Sequence, residues 1–148
     1  MESDELQTLS RPSPSASQQS ESAIPAPHLK QPEDLLFVEL FSRSKTVARA
    51  FSDQAWKTLT IDNNLDLEPD ICSDILEVTA DMIEGADVIW ASPPCTVFSV
   101  AGFGQGHFND YTAVTDQARH AIEMVKHTLS LIEETNPAYW FMENPQGS

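Results

Sequence analysis

The chain has 148 residues, a formal net charge of −15 and two cysteines. That length allows one folded unit at most. Two cysteines cannot make a disulfide framework and, with no CxxC pair or His/Cys cluster, they offer no metal site; so acidic a chain also cannot grip a phosphate backbone by itself, which takes Lys and Arg.

Residues 1–34 are rich in Pro, Ser and Gln and poor in large apolar side chains. They bury too little to offset chain entropy and are expected to form a disordered tail. They lack the basic-then-apolar order of a secretory signal, and no apolar run reaches the roughly eighteen residues of a membrane span. A soluble, cytoplasmic protein with no membrane partner and no metal is the expectation.

Leu35 to Phe41 is a continuous apolar run, the pattern of a parallel strand covered on both faces. Ser44 is placed to cap a helix whose apolar face is Val47, Ala50, Phe51 and Ala55. Trp56 to Ile61 reads as a second strand that ends at Asp62-Asn63-Asn64. Pro69 to Ile75 is a short third strand or a loop, followed by a weak helix from Glu77 to Glu84. Asp87 to Ala91 is the fourth strand; it runs into Ser92-Pro93-Pro94-Cys95 and then a glycine-punctuated segment, Gly102-Phe103-Gly104-Gln105-Gly106. The clearest helix spans Thr115 to Glu134, with Val114, Ala118, Ala121, Ile122, Val125, Leu129 and Ile132 as its stripe. Asn136-Pro137 ends it. Tyr139 to Met142 is the fifth strand and stops at Glu143.

Strands alternating with helices imply an α/β fold, a doubly wound, mostly parallel sheet with right-handed crossovers. Ligand sites in such sheets lie at the carboxyl ends of the strands, here Phe41-Ser42, Asp62, Asp74, Cys95 and Glu143. Cys95, where a buried strand emerges near backbone N–H groups, is a candidate nucleophile. The glycines after it suit a mobile lid better than a phosphate cradle, because they do not open a helix directly. Asp62 can accept both hydrogen bonds of a ribose diol, or serve as an ordinary turn residue. The turn from Phe41 to Thr46 has no glycine; Arg43 and Lys45 either contact a ligand or are solvated. Glu143 is placed as an acid or hydrogen-bond partner for a heterocycle. His28, His107, His120 and His127 show no metal spacing; His120 and His127 read as solvated or partly buried helix residues and His107 as part of the lid.

These residues resemble, in order, the catalytic domain of a DNA cytosine-5 methyltransferase of the phage and bacterial type. Phe37-Val38-Glu39-Leu40-Phe41-Ser42 is similar to its first cofactor motif, Asp62 to its ribose-binding acid and Asp74-Ile75 to the pair beside the adenine. Ser92-Pro93-Pro94-Cys95 is similar to the nucleophile motif and Glu143-Asn144-Pro145 to the Glu-Asn motif. These last two are the specific ones. The resemblance implies S-adenosylmethionine as cofactor, held by Phe41, Ser42, Ser44, Thr46, Asp62, Asn63, Asp74, Ile75 and Pro94. It implies a cytosine of DNA as substrate, flipped out of the duplex and contacted by Pro94, Ser99, Glu143 and Asn144, with Cys95 bonding to its C6.

Two features depart from the family pattern. Arg43 and Lys45 occupy the glycine positions of Phe-x-Gly-x-Gly and are expected to crowd the methionine end of the cofactor. The chain also stops just past the Glu-Asn motif, so 35–148 reads as a partial, truncated catalytic domain whose DNA grip comes from a missing region or a partner chain. A second reading is a degenerate methyltransferase-like protein that acts through protein contacts. A cysteine hydrolase is disfavoured, because no His is well placed and the small-residue elbow around the nucleophile is missing.

Overall fold

A computed structural model describes residues 29–98 and 105–144. Strand β1, Leu36–Leu40, is apolar throughout except for Glu39, and Phe37, Val38 and Leu40 are fully buried. Such a strand is stable only with cover on both faces, which places it in the middle of the sheet. There β1 pairs in parallel with β2, Lys57–Asp62, on one side and with β4, Val88–Ala91, on the other. The short β3, Ile71–Cys72, extends the β2 side, and β7, Tyr139–Met142, extends the β4 side. The order β3-β2-β1-β4-β7 is all parallel and reverses direction at the β1/β4 junction, as the doubly wound reading requires.

Each face of the sheet has its own cover. Helix α1, Thr46–Ser52, crosses from β1 to β2, and its Ala48 packs with Phe37 and Val88 while Phe51 stacks on Phe37 with ring centroids 4.0 Å apart. The opposite face is closed by α2, Asp116–Thr135, through Leu131 and Ile132, and by 3-10 turns that deliver Ile75, Val78 and Ile83. Two apolar layers around one sheet account for the core.

Several boundaries differ from the sequence expectation for identifiable reasons. Ser44 does not cap α1: Lys45, in the left-handed region, is the residue before it, and Ala48 rather than Ala50 is buried, with Ala50 and Ala55 exposed. The stretch from Glu77 to Glu84 forms two 3-10 turns, Ile75–Glu77 and Ala80–Ile83, instead of a helix. The α2 stripe also shifts. Leu129 and Val114 face solvent, whereas Thr128, its hydroxyl donated to the Met124 carbonyl at 2.7 Å, and Leu131 turn inward. Thr115 caps α2 by accepting from the Ala118 amide at 3.1 Å, and Asn136, left-handed and followed by Pro137, ends it.

Of the polar N-terminal stretch, residues 1–28 lie outside those described, as do Gly102 and Gly104 of the glycine segment. Pro32–Asp34 makes one 3-10 turn with nothing buried, and Lys30 pairs with Asp87 at 2.7 Å. The other Asp87 oxygen accepts the Leu36 amide at 2.8 Å, which ties the entry of β1 to the entry of β4.

At the carboxyl edge, Leu40 aligns with Ile61 and Ala91, and Ala91 with Met142. The ladders continue one step past these residues. The amides of Ser42, Ser92 and Glu143 donate to the carbonyls of Ile61, Leu40 and Ala91 at 3.1, 3.3 and 2.9 Å. Residues just beyond the strands are therefore fixed by sheet register, not left to loop motion.

Candidate functional site: two clefts at the carboxyl edge

The turn leaving β1 has an unusual backbone for its sequence. Phe41, Arg43 and Lys45 have φ values of 58°, 40° and 57°, in the left-handed region that costs a side-chain-bearing residue roughly 1–2 kcal/mol. Tertiary hydrogen bonds hold it there. Asp62, at the end of β2 and 8% exposed, accepts the Arg43 amide on one carboxylate oxygen at 3.0 Å and the Asn64 amide on the other at 2.9 Å. From beneath, Glu39 of β1 accepts the Ala48 amide at 2.9 Å and also that of Val47, which supplies the first turn of α1 with the cap that Lys45 lacks. Burial pushes the Glu39 carboxyl above its ordinary 4.5, and the Ala48 and Val47 amides oppose the shift.

On the Asp62 side of this turn lies a cleft of about 480 Å³, lined among others by Asp62, Asn63, Asp74, Ile75 and Pro94. That volume lies within the range of about 300–1,000 Å³ typical of small-molecule sites. The chemistry suits a nucleoside. Asp62 keeps spare acceptor capacity beyond its two amide bonds for sugar hydroxyls, and Ile75 gives the same cleft an apolar wall. Asp74 is anchored by accepting the Leu76 amide at 2.9 Å. His120, an exposed residue of α2, lines this cleft too.

A second cleft, of about 450 Å³, lies on the β4 side and contains Cys95, Glu143, Ser92, Pro93 and Glu39. Phe41 and Arg43 line both clefts and form the divide between them. Cys95 is a free, half-buried thiol at the start of a turn, with its carbonyl accepting the Phe98 amide at 2.8 Å. Glu143 is oriented by a short relay: the Trp90 indole donates to the Ser92 hydroxyl at 2.9 Å, and Ser92 donates to a Glu143 carboxylate oxygen at 3.2 Å. A thiol and an oriented carboxylate in one recess can together bond to and hydrogen-bond a flat heterocycle.

The grouping differs from the sequence expectation in part. Ser42, Ser44 and Thr46, expected beside the cofactor, line the Cys95 cleft instead, because the left-handed turn folds them to the β4 side. The Ser44 and Thr46 hydroxyls bond to each other at 2.8 Å, and the buried Ser42 hydroxyl has no hydrogen-bond partner among the described residues. Pro94 lines the Asp62 cleft and Pro93 the Cys95 cleft, so the two prolines face different sites. Asn144 is not brought to Cys95; it lines a separate crevice of about 170 Å³ with Pro94 and Phe98. Ser99 and Pro145 lie outside the described residues.

Sequence reasoning missed Glu39, Ser92 and Trp90. A carboxylate inside an apolar strand was the available signal for Glu39, since buried charge requires partners. Ser92 could have been found from parallel register, which sets the residue after Ala91 beside the residue after Met142. Past Gly106, Phe108–Asn109 and Thr112–Ala113 form a small antiparallel hairpin, β5 and β6. His107 ties this hairpin to the start of α2 by a 2.8 Å bond to the Thr115 hydroxyl, and the Phe98 and Phe108 rings lie 5.8 Å apart. His127 bonds the Val78 carbonyl at 2.9 Å, a packing role. Among the described residues, no group of three or more His, Cys, Asp or Glu could hold a metal ion, and no helix is long and apolar enough to cross a membrane.

Residues 36–147 match a family profile described as C-5 cytosine-specific DNA methylase. The chain is also similar to a probable DNA (cytosine-5)-methyltransferase of Frog virus 3 (isolate Goorha), 28% identical over 115 residues that cover 73% of this chain and 52% of the viral protein. It thus spans about half the length of that relative.

Proposed function

Because the chain belongs to the C-5 cytosine-specific DNA methylase family, we propose that it carries the nucleophile and cofactor half of a site that methylates C5 of cytosine in DNA. The observation that carries this reading is the sharing of one cleft by Cys95 and Glu143, separated only by Phe41 and Arg43 from the cleft that holds Asp62. S-adenosylmethionine, when bound, would supply the methyl group and leave as the thioether S-adenosylhomocysteine. Asp62 would hold its ribose hydroxyls, and Asp74, Ile75 and Pro94 would flank its adenine.

In the second cleft, the Cys95 thiolate forms a bond to C6 of a cytosine turned out of the duplex, and the ring electrons move toward C5. Glu143 hydrogen-bonds N3 and the exocyclic amine and so offsets charge that develops on the ring. Ser92 and Trp90 keep that carboxylate facing the recess. After C5 has gained the methyl group, loss of its proton expels Cys95 and restores the thiolate and the aromatic ring. Pro93, buried, lines the same recess as the thiol. The acidic balance of the chain leaves most phosphate contacts to other protein surface.

Replacement of H5 by fluorine blocks proton loss and traps the covalent species. An oligonucleotide bearing 5-fluorocytosine, incubated with the chain and S-adenosylmethionine, is expected to give an adduct stable to denaturing electrophoresis and absent with Cys95→Ser. An adduct that persists in Cys95→Ser would remove Cys95 from the mechanism.

A further inference from the structure

The two cations of the β1 turn sit at alternate positions with the same left-handed backbone, yet their side chains separate. The Lys45 ammonium folds away and donates to the Glu68 carbonyl, and Lys45 lines neither of the two clefts. Arg43 stays on the divide and lines both. Its amide is pinned by Asp62, so the base of the side chain is fixed, while its guanidinium forms no ion pair among the described residues.

The surroundings make that cation selective. Asp62 and Asp74 line one cleft and Glu39 and Glu143 the other, and Arg43 is the only Lys or Arg that lines either among the described residues. An anionic group on a ligand is repelled at the carboxylate-lined walls and stabilised only at the divide. A cofactor with its ribose at Asp62 and its reactive methyl aimed toward Cys95 must bring its sulfur to this divide. The methionine chain, which ends in an amine and a carboxylate, branches from that sulfur.

Resting on the cofactor reading above, we infer that the Arg43 guanidinium binds the carboxylate of the methionine part of S-adenosylmethionine. The residue that replaces glycine is thus a specificity contact and not an obstruction. A guanidinium presents a planar fork of N–H donors that matches a carboxylate in two parallel hydrogen bonds, which an ammonium cannot do. The Asp62 bond to the Arg43 amide fixes the backbone from which the fork extends, so that only the side chain itself is ordered when the ligand arrives.

Calorimetric titration of the full chain, Arg43→Gln and Arg43→Gly with S-adenosylmethionine and with its decarboxylated analogue tests this directly. The analogue keeps the sulfonium and the amine and lacks only the carboxylate. The unaltered chain is expected to prefer the carboxylate-bearing ligand by about tenfold, and both variants to lose that preference while binding the analogue as before. Arg43→Gly should fold normally, since glycine adopts the positive φ without strain. Equal affinity of the unaltered chain for the two ligands would overturn the inference. Tighter binding of S-adenosylmethionine by Arg43→Gly would also overturn it and identify the side chain as an obstacle. A loss confined to binding of the fluorocytosine oligonucleotide would assign Arg43 to a DNA phosphate instead. Failure of all three proteins to bind either ligand would refute the cofactor reading itself, and the inference with it.

Discussion

Between Phe41 and Lys45 three non-glycine residues have positive φ, whereas none does from Ala91 to Cys95 or at Glu143, although both regions line the same cleft. The β1 turn obtains its path from carboxylates lying below and beside it: Asp62 holds the Arg43 amide and Glu39 holds the Ala48 amide. The β4 and β7 ends obtain theirs from sheet register and from the Trp90–Ser92–Glu143 relay. In the first region the backbone path is imposed from outside, so the residues on it can change while the path persists. In the second the side chains carry the chemistry proposed above, and the backbone has no positive φ.

Breaking the imposed path should have the largest effect. Asp62→Ala removes two amide bonds to a buried carboxylate, a loss of about 3 kcal/mol. A lower urea midpoint together with lost S-adenosylmethionine binding is expected. Asp62→Asn, with one acceptor oxygen in place of two, should fall roughly midway. If Asp62→Ala left the midpoint unchanged, the turn would hold its shape unaided and the contrast between the two regions would disappear.

The relay predicts an effect of the opposite kind. Ser92→Ala leaves Glu143 without its hydroxyl donor but leaves the turn alone, so fluorocytosine adduct formation should slow by about tenfold, with cofactor affinity and stability nearly unchanged. Equal loss of cofactor affinity would show that the two clefts are not separable.

The smallest effect is expected at Glu39. Its folded pKa is raised above 4.5, so the folded state holds a proton that the unfolded chain has already released. Stability from this group therefore falls as pH rises from about 4.5 through the raised value, and is level above it. Glu39→Gln keeps an acceptor oxygen for the Ala48 amide without the charge. It should change stability at neutral pH by less than about 1 kcal/mol and flatten the pH profile in that window. A profile unchanged by the substitution would reject Glu39 as the titrating group.

The strands were legible because each is a compact apolar run, and β1, β2, β4 and β7 lie within about one residue of their expected limits. Cys95 and Glu143 were legible for the same reason, since a strand end fixes the position of the residues just after it. The β1 turn was not. Its left-handed residues are Phe, Arg and Lys, which carry no local signal for that conformation, and the carboxylate that enforces the turn at Arg43 is nineteen positions away in sequence. Residues from Glu77 to Glu84 form no such helix: Val78 and Ile83, both buried, are five positions apart, a spacing that does not share one helix face, and a 3-10 turn over Ala80–Ile83 delivers Ile83 to the core instead. Asn144 was grouped with Glu143 through the resemblance to the Glu-Asn motif, yet consecutive residues at a strand end point to opposite faces.

The outer strand β7 has a consequence of a different order. Among the described residues it is hydrogen-bonded on the β4 side only, and Tyr139, Trp140 and Phe141 are each at least half exposed. An open, aromatic strand edge is a template for adding another strand, and copies of this chain have matching edges to offer. The net charge of −15 opposes such encounters by mutual repulsion. Salt that screens this repulsion weakens the barrier while leaving the aromatic strand untouched, so association of copies through the edge that the described residues leave open is expected to rise with ionic strength.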